Sequence, residues 1–376
     1  MKSQSLSPLD AHPIRRPAKV PPPAVIGAVN RIRSALDRVH KATVPPNVAL
    51  MELGFGAWLT QALYTAIRLG IANELAAGPL PADEVARRVG ADPGATYRLM
   101  RALASRSVFK LRRDGRFALT RMGRTLITSD PTSMAPMLAF IGDPTHWEHW
   151  GSLEHSTRTG KTAVSHLRGM EFFDYLDTDP DFAKVFNDAM TGVSSVAVDN
   201  AVPAYDFSDR RRIVDVGGGH GALLSAVLRQ APDARGVLFD LPSVVTRAGG
   251  PLAAAGVAAR CDVEGGSFFE SVPAGGDAYL LKTIIHDWDD DRALEILQKV
   301  RGAIAPGGKL LLFEMVLPEG APAHLGLLLD LEMLVSAGGK ERTRREYTEL
   351  LSRAGFRLSR VLATPTPLAI IEALPV

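Results

Sequence analysis

From Arg210 onward, strongly apolar runs alternate with helix-like runs, and this alternation limits the fold more than any other feature of the chain. "RRIVDVGGG" reads as a strand entering a glycine turn, "ALLSAVLRQA" as a helix and "RGVLFDLP" as a second strand. "DAYLLKTII", "DRALEILQKVRGAI" and "GKLLLFEMVL" repeat the pattern. Strands this apolar cannot present a face to water, so the expectation is a parallel sheet covered by helices on both faces. The fold class expected is α/β, with a Rossmann-like, doubly wound domain.

The first strand runs into "VDVGGGHGALLSAVL", with Gly217, Gly218, Gly219 and Gly221 between strand and helix. Glycines there permit a tight turn and close backbone approach by a ligand, beside the positive end of a helix. The alternative is a crowded turn with no ligand. The order Gly-Gly-Gly-His-Gly departs from the G-x-G-x-x-G of a pyrophosphate-binding site. Asp240 ends the next strand, where a carboxylate can accept hydrogen bonds from both ribose hydroxyls. These residues indicate a nucleoside cofactor and leave S-adenosylmethionine and a nicotinamide dinucleotide both open.

"YLLKTIIHDWDDDRALEIL" places His286, Asp287 and Trp288 where an apolar strand meets a helix. His286 either caps the helix and fills a polar gap, or takes a proton from a bound substrate.

The chain ahead of this domain is mostly helical. Residues 1–23, rich in Pro, Ser and Arg, are expected to be disordered. Val25, Val29, Ile32, Leu36 and Val39 then fall at helical spacing, on an amphipathic helix that packs on a partner subunit or on its own domain. "TVPPN" ends it. From Val48 to about Thr128 three helices precede a hairpin at Asp114-Gly115, a winged-helix shape. Pro81 and Asp83 suit a helix start there, and Gly90 suits a stop. Arg98, Arg101, Arg106, Arg112 and Arg113 could bind DNA, or be solvated charge interspersed with acids. Residues 130–205 read as mostly helical, with "HWEHWGSLEHSTRTGKT" irregular and a Phe- and Met-rich stretch after it.

At 376 residues, 46% of them apolar and 22% charged, the chain fits a soluble globular protein with room for two domains. A formal net charge of +2 gives no general nucleic-acid signal. Cys261 is the only cysteine, so no intrachain disulfide can form, and neither secretion nor a cysteine-based zinc site is indicated. No apolar run approaches the roughly 18 residues of a membrane span, and no signal-peptide h-region opens the chain. A cytoplasmic location is expected.

The order and spacing of "IVDVGGGHG", "LFDLP", "GGSFFESVPAGGDAYLLKTIIHDWDD", "APGGKLLLFEMVLPE" and "GGKERTRREYTELLSRAGF" are specific. In these strings the chain resembles the dimeric S-adenosylmethionine-dependent O-methyltransferases of the plant caffeic-acid and flavonoid type. It is similar above all to their bacterial relatives acting on aromatic polyketides and other secondary metabolites. The resemblance runs from about Met51 to near the C-terminus, and "YRLMRALASRSVF" and "FALTRMGRTL" match that family's dimerisation domain. It implies S-adenosyl-L-methionine as cofactor, a homodimer and a small hydroxylated acceptor, with no metal, nucleic-acid or membrane partner. The division expected is a flexible tail carrying an amphipathic helix over 1–45, a winged-helix-like dimerisation domain over 46–160, and a helical linker with the Rossmann-like catalytic domain over 161–376.

The resemblance also implies roles for single residues. Gly217 would approach the methionine part of the cofactor, Asp240 the ribose, Phe268 the adenine, and Lys282 the ribose or adenine. His286 would be the general base, flanked by Glu314 and Glu341. Phe172, Phe173, Phe186 and Met190 would line the acceptor pocket, with Trp288, Asp330 and Met333 as further wall residues. One position departs from the family: its usual Gly-Asp before the paired aromatics is Gly266-Ser267 here, so Ser267 replaces a carboxylate expected at adenine. A hydroxyl can still accept a hydrogen bond, or Ser267 serves the turn alone. Three other readings remain open: a winged-helix ligand-sensing regulator, an NAD-dependent oxidoreductase disfavoured by the glycine spacing, and a non-methylating member of the same fold.

Overall fold

The computed structural model describes residues 23–130, 132–320 and 324–376. The expectation of disorder over residues 1–23 therefore lies outside the described residues, except at Pro23, which opens the helix Pro23–Ala42. Helices Pro46–Gly54, Gly56–Arg68, Ala82–Val89 and Pro93–Ser105 follow, with the short Ile71–Glu74 among them. Gly90 ends Ala82–Val89 at φ 68°, a conformation that glycine adopts without steric penalty. Strands β1 (Phe109–Leu111) and β2 (Phe117–Leu119) pair antiparallel across the Asp114-Gly115 turn. Leu80 bridges Phe117 as a third short pairing. Val85, Met100, Leu103, Phe109 and Phe117 are buried together as the core of this winged-helix-like unit.

Six helices fill residues 135–201, ending in the long Pro180–Ala201. The stretch expected to be irregular is helical, over Pro144–Gly151 and Leu153–Thr159. Pro144 occupies the first helical turn, and Asp143 caps it by accepting the Thr145 N–H at 2.9 Å. This capping signal was present in the sequence and was masked by the aromatic content.

The catalytic-side sheet contains β3 (Arg212–Val216), β4 (Arg235–Asp240), β5 (Cys261–Gly265), β6 (Ala278–Lys282), β7 (Lys309–Leu317), β8 (Arg342–Thr343), β9 (Phe356–Ala363) and β10 (Leu368–Pro375). Their order is β5-β4-β3-β6-β7-β10-β9, with β8 beside the end of β7. The first five are parallel, but β10 runs antiparallel to both β7 and β9, so the sheet is mixed rather than all-parallel. The cause is local: only residues 364–367 separate β9 from β10, and a connection that short permits a hairpin, not a crossover. Both faces are covered. Ile213, Leu280 and Leu311 pack with the helix Ala222–Gln230 on one side. Val214, Tyr279 and Leu310 pack with Asp290–Ala303 and Arg344–Arg353 on the other. Strand order reverses between β3 and β6, and ligands bind at the carboxyl ends of strands at such a switch point.

Candidate active site

Two loops meet at that switch point. After β3, Gly217, Gly219 and Gly221 have φ of 67°, 59° and 83°. A Cβ at Gly217 would stand 2.5 Å from Ile284 Cδ1, and one at Gly218 would stand 2.5 Å from Leu238 Cδ1. A Cβ at Gly219 would meet nothing within 4 Å. The first two glycines thus let the loop press against the sheet, and the third presents bare backbone to open space. Asp240 is bonded to this turn: Oδ2 accepts the Gly219 N–H and Oδ1 the Leu241 N–H, each at 2.7 Å. Each oxygen keeps a second lone pair for a hydroxyl. Burial raises the Asp240 pKa, against these two bonds. Phe268 packs near Gly217, edge-on to Phe269 and Trp288. Open glycine backbone, a carboxylate with spare acceptors and an aromatic face together fit a nucleoside such as that of S-adenosylmethionine. Ser267 serves its own turn, its Oγ accepting the Phe269 N–H at 3.3 Å.

After β6 the chain strains and turns. Thr283 has φ 51°, rare for a β-branched residue and typical of sites where local strain is held by its surroundings. Lys282 is partly buried, and its Nζ donates to Thr283 Oγ1 at 3.1 Å. Desolvation lowers its pKa, opposed by Asp215, Glu314 and Asp287. The 3-10 turn Ile285–Asp287 then carries His286, which is 8% exposed. Glu341 Oε1 lies 2.7 Å from Nδ1, and Asp287 Oδ1 lies 3.4 Å from Nε2. Glu341 therefore selects the tautomer with hydrogen on Nδ1, and Nε2 is the nitrogen left for a substrate. Asp330 steadies this arrangement, its Oδ1 accepting the Glu341 N–H at 2.8 Å.

Of the two glutamates expected beside the imidazole, Glu341 bonds the ring and Glu314 bonds the peptide. Glu314 Oε1 accepts the N–H groups of Ile284 and Ile285 at 3.0 and 2.8 Å. The register explains this: Lys282 pairs with Phe313, which brings Glu314 level with the turn just beyond β6. The second oxygens of Glu314 and Glu341, and the Tyr347 hydroxyl, are buried with no hydrogen-bond partner. Desolvation raises Glu314 to about 7, opposed by His286, and raises Asp287 to about 6, again opposed by His286. Burial alone would lower His286, but Asp287, Glu314 and Glu341 outweigh it and raise it to about 10.

The expected wall residues fall into two groups. Phe172 is buried, with Phe186 and Met190 partly buried beside it, among Phe140, Val164 and Phe182. Phe173 stacks on Trp288 at 5.9 Å and so joins the helical cap to the turn carrying His286. Met333 is buried on the helix Gly326–Val335. Sequence reasoning passed over its neighbour Glu332, which accepts from Trp150 Nε1 at 2.5 Å and lies 3.0 Å from His146 Nε2. It also passed over Thr283, Gly339 and Arg342. A Cβ on Gly339 would stand 2.0 Å from the His286 carbonyl oxygen, so the "GGKER" backbone lies directly against the histidine turn. The paired glycines were the available signal.

The O-methyltransferase domain family matches residues 150–357, and the O-methyltransferase dimerisation domain matches residues 51–129. The phenazine O-methyltransferase of Lysobacter antibioticus is 43% identical over 89% of this chain and 97% of its own length. The mitomycin biosynthesis 6-O-methyltransferase of Streptomyces lavendulae is 37% identical over 84% of this chain and 91% of its own. The crystal structure of human N-acetylserotonin methyltransferase in complex with SAM superposes with a TM-score of 0.81 at 30% identity, covering 88% of this chain and 98% of that one. On these matches the chain is a member of the S-adenosylmethionine-dependent O-methyltransferase family.

Proposed function

We propose that this chain methylates a hydroxyl of an aromatic or polyketide-like small molecule, with His286 as the general base. The observation that carries the reading is the buried His286–Glu341 pair, 2.7 Å apart, beside the open glycine turn. S-adenosylmethionine, when bound, supplies a methyl group on a sulfonium centre. A phenol, with a pKa near ~10, is a weak nucleophile at neutral pH until its proton is removed. Nε2 of His286 takes that proton, while the Glu341 carboxylate at Nδ1 fixes the ring and stabilises the imidazolium that forms. With the site free of ligand the surrounding carboxylates favour the protonated ring, and a positive charge placed in the crevice would favour its release. Gly217, Asp240, Ser267, Phe268 and Lys282 hold the cofactor in this reading. Phe172, Phe186, Met190, Trp288, Asp330 and Met333 form the acceptor wall.

The relatives' names, phenazine and mitomycin among them, favour a flat fused-ring acceptor. A methyl-transfer screen across phenols, catechols, polycyclic quinones and hydroxylated polyenes, read by mass spectrometry, tests this. Binding of S-adenosylhomocysteine with no class methylated would sink the acceptor assignment.

We further propose a homodimer. The dimerisation region opens on exposed Leu50, Met51, Leu53 and Trp58, and the helix before it leaves Ile32 and Leu36 exposed as well. Apolar surface this continuous is what an obligate interface covers. We assign the dimerisation domain to residues 46–160 and the linker with the catalytic domain to residues 161–376. We also assign the protein to the cytoplasm on its single cysteine; among the described residues no helix is long and apolar enough to cross a membrane.

A further inference from the structure

Arg342 is 0% exposed, which is unusual for a charged side chain unless its donors are fully used. Its Nη1 donates to the Ile285 carbonyl at 2.9 Å and to the Lys340 carbonyl at 3.2 Å. Its Nη2 donates to the Trp288 carbonyl at 2.9 Å, and its Nε to Asp290 Oδ1 at 3.0 Å. Ile285 and Trp288 are the residues on either side of His286 and Asp287. The same turn is held from its amide side by Glu314, through the N–H groups of Ile284 and Ile285. Arg342 also lies in β8, paired with Val316 of the strand that carries Glu314, and directly follows Glu341. The backbone that supplies the ring's carboxylate and the guanidinium that grips the ring's peptide are thus consecutive residues.

We propose that Arg342 is a positioning residue for His286: it clamps the carbonyl side of the histidine turn while Glu314 clamps the amide side, so that Nε2 is held in one place. Two of its four bonds close on the carbonyls that flank His286 and Asp287, and a third holds Asp290 just beyond them. A lysine keeps the charge but is a point donor on a flexible stem, and cannot bridge both carbonyls and Asp290. The inference rests on the reading of His286 as the base.

The test uses the full chain, with an acceptor from the methyl-transfer screen. Arg342→Lys should lower kcat about 10–10²-fold, the scale for a small misplacement of a catalytic group. Its affinity for S-adenosylhomocysteine should stay within about twofold, since no group of the glycine turn has changed. The deciding measurement adds Arg342→Lys to His286→Ala. If Arg342 acts through the imidazole, the second substitution costs no further rate. An equal loss in both backgrounds would overturn the proposal, because the arginine would then serve the fold alone. Unchanged kcat in Arg342→Lys would overturn it too. Normal turnover in His286→Ala would instead remove the base assignment, and the clamp's purpose with it. Should Arg342→Lys not fold, Asp290→Ala removes the acceptor of Nε at a partly exposed site; it should give a smaller loss that also vanishes in the His286→Ala background, and persistence of that loss would refute the clamp.

Discussion

Replacing Glu341 by glutamine tests how the carboxylate cluster tunes the histidine. The amide can still accept from Nδ1–H, so the ring keeps its tautomer and loses only the charge beside it. A hydrogen bond to a charged group contributes about 1.5–3 kcal/mol, and one pH unit of pKa corresponds to about 1.36 kcal/mol. His286, raised to about 10 by Asp287, Glu314 and Glu341, should therefore fall by about one to two pH units. The sign follows from the partners. A histidine whose folded pKa is raised contributes stability that is complete below its ordinary pKa and is lost as pH rises through the folded value. In the variant that loss should be complete at lower pH, because only the folded-state pKa has moved. The charge beside the transition-state imidazolium is lost, but the fraction of neutral ring at pH ~7 rises by a similar factor, so the pKa rather than turnover is the readout. Titration of ring-labelled histidine by NMR, with His286→Ala identifying one resonance among the nine histidines, reads the pKa without any acceptor. An unshifted His286 in Glu341→Gln, or a wild-type value near 6.5, would refute the reasoning.

Asp240→Ala should weaken S-adenosylhomocysteine binding by about 1–3 kcal/mol in calorimetry, and unchanged affinity would remove the ribose assignment. Gly339→Ala places a methyl group 2.0 Å from the His286 carbonyl oxygen; it should lower the melting temperature markedly and cut turnover, and a wild-type melting curve would contradict the packing described. The full chain should scatter light as a dimer at micromolar concentration. Ile32→Asp with Trp58→Asp should shift it toward monomer, and a dimer unaffected by both would place the interface elsewhere.

The sheet was legible wherever burial was two-sided. Val214, Leu280 and Leu311 lie in runs that are apolar on both faces apart from the buried Asp215 and Glu314, and those runs became central strands. The edges were not. β5, "CDVEG", is mostly exposed, and β9, "FRLSRVLA", mixes arginines with apolar residues, because an edge strand need not be buried on both faces. The antiparallel end of the sheet followed from the short β9–β10 loop rather than from composition. At the site, the string "KTIIHDWDD" located the histidine turn, since chemistry-bearing residues there are consecutive in the chain. The division of labour between Glu314 and Glu341 depends on strand register, and the burial of Arg342 on the Ile285 and Trp288 carbonyls, 57 and 54 residues away in the chain. Neither leaves a local pattern to read.

The most direct test of the central claim is the pH dependence of turnover in His286→Ala, measured beside its S-adenosylhomocysteine affinity. Affinity should stay near wild type, because the glycine turn, Asp240 and Lys282 are untouched. Turnover should fall about 10²–10⁴-fold at neutral pH, the usual span of general-base catalysis. That deficit should shrink as pH approaches the acceptor's own pKa, where hydroxide supplies the phenolate. Normal turnover at pH ~7 would show that another group removes the proton or that the acceptor arrives ionised, and His286 would then be a structural residue.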